Sequence, residues 1–330
     1  MIETLYIEEQ VRTHPRVQWI AERFGAARHV LCERYTEIFN PKTQNFRLQK
    51  RKPALILAAK HGHFVLPTPP AYGLGGAHNY YFSHLLNCIY DCRYCFLQGM
   101  YPSANYVLFV NYEDFQSHIL QIIKSTRPEE PYFFSGYDCD SLALEPITGF
   151  ARTFMDFFRV HPEAHLELRT KSTQIRQFLQ RDALPNVIIA FSFTPEVVSR
   201  RLEHKVPAME RRVRALQKLQ ARNWRLGLRF DPMIYTEDYQ SAYRALFTAI
   251  FTALNPHRID SVSFGSFRLP ERFFHKMRRL YPRERLFADP HLAREENMVS
   301  YTASLRNEML EFCSRQLGAY VPPEKIFCCA

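Results

Sequence analysis

The 330-residue sequence predicts an α/β protein whose strands close into an open or partial barrel. Apolar runs of strand length alternate with amphipathic stretches of helix length from Tyr106 onward, the signature of βα units around a parallel sheet. Hydrophobic residues make up 46% and charged residues 23% of the chain, ordinary values for a globular domain with a sizeable core. Three cysteines are compressed into Cys88-Ile-Tyr-Asp-Cys92-Arg-Tyr-Cys95, next to that alternation. In folds of this kind the strand ends carry the site.

Residues 1–76 form an α/β lead-in and linker: a helix around Arg12–Phe24, a strand in His29–Tyr35, and a buried strand in the apolar run Ala54–Ala59. Pro67-Thr-Pro69-Pro70 is a stiff linker, because proline fixes φ and removes a donor. Tyr72–Gly76 extends it as an irregular loop. Residues 77–266 carry the barrel. Its expected strands are Tyr106–Val110, Pro131–Gly136, His165–Arg169, Val187–Phe193, Arg225–Phe230 and Ser261–Phe264. Helices are expected between them near Tyr112–Lys124, Ile147–Val160, Thr173–Gln180, Met209–Ala221 and Tyr239–Leu254. Residues 267–330 read as a basic, helical extension.

The formal net charge is +10, and it is concentrated. Ten Lys or Arg residues against two Glu fall between Arg200 and Arg229. A second cluster runs from Arg268 to Arg285, and a third is Arg47-Leu-Gln-Lys50-Arg51-Lys52. Such excess suits a polyanion, and nucleic acid is the commonest; solvated helix faces are the alternative. No apolar run is long enough to span a membrane. The first residues show no basic region followed by an apolar stretch, so no secretory signal is expected. Eight unevenly clustered cysteines argue for a reducing cytoplasm and a metal role over a disulfide framework. His61-Gly-His63 reads as surface, Trp224 as core, and Cys328-Cys329 as thiols without assigned function.

The spacing C-x3-C-x2-C wraps one short loop around a single soft metal centre. Thiolates select zinc, copper(I) or iron–sulfur clusters. Three ligands on a [4Fe–4S] cube leave one iron open to a substrate or cofactor. The competing reading is a zinc site completed by Cys139, Cys313 or a histidine, although the second C-x2-C knuckle of such sites is missing.

Cys88, Cys92 and Cys95, with aromatic Tyr94 before the last, resemble the radical S-adenosylmethionine (SAM) superfamily. More narrowly, the chain resembles the spore photoproduct lyase family. The likeness runs through Leu5-Tyr-Ile-Glu8, Asn87–Gln98 around the cysteines, Asp140-Ser-Leu-Ala-Leu-Glu145 and Leu168-Arg-Thr-Lys171. It continues through Phe191-Ser192, Pro195-Glu196, Glu203, Arg212, Leu226-Gly227, Pro232 and Ile234. The resemblance implies a partial (β/α)6 TIM-type barrel and a [4Fe–4S] cluster on the three cysteines. SAM would be bound at the open iron and cleaved to a 5′-deoxyadenosyl radical that breaks a thymine-dimer lesion in DNA. A one-electron donor such as flavodoxin or ferredoxin is implied as partner. By the same likeness Tyr94 lies against the adenine of SAM and takes part in hydrogen return, Lys171 holds the SAM carboxylate, Ser192 contacts SAM, and Ser135-Gly136 meets its amino group.

Three departures qualify the likeness. The family's hydrogen-donating cysteine aligns with Tyr137, and Cys139 follows two residues later. In extended backbone these two face the same side, so either is a candidate hydrogen donor; a small buried hydrophobe is the plainer reading of Cys139. The family's second tyrosine is Phe96 here, which has no O–H. The family's C-terminal hairpin finds no counterpart in residues 287–330. These leave open a radical SAM enzyme acting on an RNA base or small molecule, or a metal-bearing nucleic-acid-binding protein without catalysis.

Overall fold

The computed structural model describes residues 2–69 and 72–329; Pro70 of the expected linker lies outside them. Val187–Ser192 is buried at every position, as a strand covered on both faces must be. It sits in a run of six parallel strands that neighbour one another in chain order. They are β1 (Asn79–Phe82), β2 (Tyr132–Ser135), β3 (His165–Thr170), β4 (Val187–Ser192), β5 (Arg225–Met233) and β6 (Ile259–Ser266). A seventh parallel strand, β7 (Ile326–Cys328), joins β6 at one edge. Leu66–Pro67 pairs antiparallel with β1 at the other. Helices Tyr112–Thr126, Phe150–Arg159, Met209–Ala221 and Tyr239–Ala253 connect them. In Phe150–Arg159 the buried residues are Phe150, Ala151, Phe154, Met155 and Phe158, a stripe at helical spacing. This is the partial TIM-type barrel that the sequence predicts. Among the described residues no helix is long and apolar enough to cross a membrane.

A second sheet stands beside it, in the order Arg28–Cys32, Thr4–Glu8, Leu55–Ala58, Tyr106–Phe109, Leu85–Leu86. Two expectations change here. Tyr106–Phe109 is not a barrel strand: it pairs in parallel with Leu55–Ala58 and antiparallel with Leu85–Leu86. The barrel instead begins before the cysteines, with β1. Four consecutive aromatic or amide residues, Asn79-Tyr-Tyr-Phe82, make that strand, and no hydrophobic alternation announces it. The chain therefore leaves the barrel at Phe82, touches the second sheet at Leu85–Leu86, and enters the cysteine loop where the two sheets meet.

Residues 267–330 are also more than helical. Arg268–Pro270 pairs with Met298–Tyr301, which forms a hairpin with Leu292–Glu295. The hairpin turns through Glu296 and Asn297, both at positive φ (46° and 66°), as a type I′ hairpin turn requires. Glutamate is an unusual first residue for such a turn, so residues 287–330 hold a hairpin that the sequence pattern does not announce.

The charge clusters are partly internal. Arg229 and Glu167 pair inside the barrel, Nη2 to Oε2 at 2.6 Å, both essentially without solvent contact. Arg212 is wholly buried against Glu203, and Lys50 is buried as well. Arg47, Arg201, Arg211, Arg214, Arg222, Arg272, Arg278 and Arg279 remain exposed. Trp224 is core, its Nε1 donating to the Phe178 carbonyl at 3.0 Å.

Candidate active site

The C-terminal ends of β1, β2, β3 and β5 open into a cavity of about 530 Å³, the size of a small-molecule site. Its wall includes Cys88, Cys92 and Cys95 on one side and Ser135, Gly136, Lys171 and Asp231 from the strand ends. Helix Glu271–Leu280 and the hairpin close the rim through Arg272 and Met298.

The cysteine loop is fixed at both ends and in the middle. Asn87 adopts a left-handed conformation (φ 68°) just before Cys88, which Asn tolerates better than most residues. Its Nδ2 donates to the carbonyls of Ser103 and Asn105 at 2.8 and 2.7 Å. Asp91–Cys92 forms a short antiparallel ladder with Glu203–His204. Arg93 N donates to the Leu202 carbonyl at 2.8 Å. Lys50 Nζ donates to the carbonyls of Cys88 (2.8 Å) and Tyr90 (3.1 Å). All three cysteines are free thiols. Among the described residues no three His, Cys, Asp or Glu side chains are gathered tightly enough to hold a single metal ion. The thiols instead line one cavity whose other wall carries the half-buried Lys171. That donor set and that volume fit a cluster with an adjoining nucleoside. Cys313 lies outside the lining, in helix Ala303–Gly318.

Beside the loop a buried ionic knot ties three elements together. Glu203 Oε2 accepts from Arg212 Nη2 at 3.0 Å and Ser199 Oγ at 2.8 Å. Its Oε1 accepts the Tyr94 hydroxyl and lies 3.8 Å from Lys171 Nζ. Burial alone would raise the Glu203 pKa, but Lys171 and Arg212 outweigh it and hold the carboxylate ionised. Burial likewise pulls Lys171 down, and Glu203 more than restores it, so the ammonium is charged. Lys171 sits 5.6 Å above the Tyr94 ring. Its backbone N–H donates to Asp140 Oδ2 at 2.6 Å, and Thr170 Oγ1 donates to Oδ1 at the same distance. Ser192 ends β4 but does not line the cavity; its carbonyl accepts from Arg212 Nη1 at 2.8 Å.

Ser135 and Gly136 lie where the sequence reading puts them, at the end of β2. Ser135 Oγ is bound to the Glu167 carbonyl (3.0 Å) and Ser141 Oγ (2.8 Å). Gly136 has φ 85°, and a Cβ there would meet Ser141 Oγ at 2.5 Å. Only glycine fits, and it leaves bare backbone facing the cavity.

The remaining wall holds the candidate hydrogen donors. Cys139 and Tyr137 both line the cavity, although the chain bends through 137–139 and is not the extended segment the sequence reading assumes. Cys139 is buried, and burial pushes its thiol well above the usual range, so it keeps its hydrogen. Tyr137 is half-buried, its ring 4.4 Å from Tyr81 and 5.5 Å from Phe96. Arg268 pairs with Asp231 at 3.3 Å and covers the Tyr72 ring at 4.9 Å. Reading the sequence singled out neither Lys50 as a loop anchor nor the Asp231–Arg268 pair. Their signal is faint: a charge at an otherwise apolar strand end, or within a basic run. His61 stays apart, in an exposed contact with Gln10.

Three thiols lining one cavity at the C-terminal mouth of a partial (β/α)6 barrel are the arrangement of a radical SAM protein. Within that class the chain belongs to the spore photoproduct lyase family, whose match spans residues 77–302. The spore photoproduct lyase of Clostridium acetobutylicum is 22% identical over 169 residues, covering 51% of this chain and 50% of that protein. The Bacillus subtilis enzyme is 23% identical over 168 residues, 51% and 49% of the two chains. The chain thus matches about half the length of these two relatives. The Geobacillus protein of the same name is 20% identical over 266 residues, 79% of this chain and 76% of its own. A mutant spore photoproduct lyase with bound AdoMet and dinucleoside spore photoproduct superposes with TM-score 0.86 at 17% identity, over 100% of this chain and 98% of the other. A spore photoproduct lyase complexed with dinucleoside spore photoproduct gives 0.84 at 17% identity and the same coverage. At such identities the superpositions establish the fold.

Proposed function

We propose that the protein is a radical SAM lyase acting on a thymine-dimer-type photoproduct in DNA. The carrying observation is one cavity that joins Cys88, Cys92 and Cys95 to Lys171, Gly136 and Cys139. When bound, a [4Fe–4S] cluster and SAM supply an electron and a carbon-centred oxidant able to take hydrogen from an unreactive carbon. Cys88, Cys92 and Cys95 are the ligands of the cluster. Lys171 offers a compact positive charge to the SAM carboxylate, and Glu203 fixes where that charge stands. Tyr94 packs beneath Lys171 and forms part of the same pocket, its hydroxyl committed to Glu203. Ser135 shapes the turn at the end of β2, and Gly136 presents backbone to the SAM amino group. Ser192 acts at one remove, by orienting Arg212 and through it Glu203. Cys139 Sγ or Tyr137 Oη returns a hydrogen to the product.

DNA fits the exposed arginines of helix Glu271–Leu280, of which Arg272 stands on the cavity rim. The protein is placed in the cytoplasm, where free thiols persist, with a flavodoxin- or ferredoxin-type electron donor. The spore photoproduct lyases superposed above bind a dinucleoside spore photoproduct, which supplies the test substrate. Anaerobic turnover of the dinucleoside and of lesion-bearing duplex DNA, followed by chromatography of the repaired thymidines, should show consumption of both. A loaded enzyme that converts neither contradicts this substrate. Phe96, which places a phenyl ring where the family has a tyrosine, favours the second reading: the same chemistry on an RNA base or small molecule.

A further inference from the structure

Lys50 reaches the site from outside the barrel. It lies on helix Phe46–Arg51, whose N-terminus is capped by the Asn45 side chain accepting from Leu48 N at 3.1 Å. Its neighbour Arg47 is exposed, whereas Lys50 is 8% exposed and lines the cavity. The ammonium donates to two carbonyls of the cysteine loop, Cys88 at 2.8 Å and Tyr90 at 3.1 Å. The other cations near the barrel mouth have carboxylates: half-buried Lys171 and buried Arg212 share Glu203, and buried Arg229 has Glu167. No ion pair within 4.0 Å among the described residues includes Lys50. Burying an ammonium without a counter-ion costs several kcal/mol. Carbonyl dipoles offset part of that cost. A full negative charge offsets it best, and the three thiols that share its cavity are where one would gather.

We propose that Lys50 is the counter-charge of the cluster site, a positioning residue that holds the Cys88 loop and raises the reduction potential of the [4Fe–4S] cluster. A cluster bound by three thiolates is net negative, and reduction adds one more negative charge. A fixed cation at the loop therefore stabilises the reduced state more than the oxidised one. Lys50 shares one cavity with Cys88 and Cys95 and is bonded to the Cys88 backbone. Lysine suits the position because its ammonium can donate to two carbonyls and still carry its full charge.

The inference rests on the cluster reading above. The experiment separates the two: wild-type protein that takes up no iron and sulfide overturns that reading itself. In the full-length, anaerobically reconstituted protein, iron content and the cluster midpoint potential are measured by redox titration followed by electron paramagnetic resonance. Lys50→Met removes charge and donors, Lys50→Gln keeps a donor without charge, and Lys50→Arg keeps both. The expected result is at least a tenfold shift of the one-electron equilibrium toward the oxidised cluster in Met and Gln, 59 mV lower. Arg should stay nearer to wild type than to Met. Should Met and Gln lose iron while Arg retains it, the charge is again what the site requires. Loaded Met and Gln variants with the wild-type potential overturn the proposal, and so does an Arg variant as defective as Met.

Discussion

On one side of the cavity the cysteine loop, Lys171, Tyr94 and Glu203 are locked by a dense set of buried bonds. Glu203 joins Tyr94, Lys171 and Arg212 there, and the pieces come from β3, the loop and the segment after β4. On the other side Cys139, Tyr137, Tyr81 and Phe96 meet mostly through ring faces and burial. Tyr137 is 37% exposed there, against 4% for Tyr94. The resemblance read in the sequence puts the family's matching residues on the locked side and the departures from them on the looser side. A charged cofactor demands fixed counter-charges. A hydrogen donor need only be an X–H group within reach, so a cysteine or a tyrosine lining the same cavity can take the place of another.

The largest effect should follow from breaking the locked side at its ligands. Cys88→Ala, Cys92→Ala or Cys95→Ala is expected to abolish stoichiometric iron and sulfide uptake under anaerobic reconstitution. Full loading of any of the three would remove that cysteine from the site. Next comes the ionic knot. Arg212→Met leaves Glu203 buried with only Lys171 for charge, a change expected to cost roughly 3–5 kcal/mol in denaturant unfolding. Loss of less than 1 kcal/mol would mean that the knot is not what rigidifies this wall.

A smaller, pH-dependent effect belongs to His84, which anchors the start of the cysteine loop. It is stacked on Phe150 at 3.5 Å, its Nδ1 has no partner among the described residues, and burial lowers its pKa from 6.5 to about 3. Between those values the unfolded chain holds one proton more than the folded one, so His84 costs stability as pH falls from 6.5 toward 3. From pH 7 to pH 5 wild type should lose about 2 kcal/mol more than His84→Phe. Parallel stability curves for the two proteins would contradict the buried, neutral imidazole. The mildest perturbation is on the looser side. Cys139→Ala and Tyr137→Phe should leave folding and iron content unchanged, and one of them should alter the partition of products formed from the photoproduct. If neither alters it, the returning hydrogen comes from elsewhere.

How much of this was readable in the chain follows the same division. The cysteine spacing and the β2 to β6 alternation are local patterns, and both stand in the structure. Which sheet a strand joins is not local: Tyr106–Phe109 has the same apolar character as the barrel strands, and its partner at Leu55–Ala58 lies some fifty residues upstream. Lys50, Arg212 and Arg229 belong to basic runs that read as one surface. Their burial depends on the Cys88 and Tyr90 carbonyls, on Glu203 and on Glu167, which only the fold brings to them. The hairpin at 292–301 was hidden because Glu296 occupies a turn position where glycine or asparagine would have signalled it.

The central claim is that the locked wall binds a cluster and SAM for radical chemistry on a photoproduct. It is tested most directly by anaerobic reconstitution with iron, sulfide, SAM and a one-electron reductant, scoring 5′-deoxyadenosine with and without dinucleoside photoproduct. The expected result is 5′-deoxyadenosine formation that depends on Cys88, Cys92, Cys95 and Lys171 and changes when the photoproduct is added. A colourless protein that holds zinc, or a fully loaded cluster that leaves SAM intact under reduction, would contradict it.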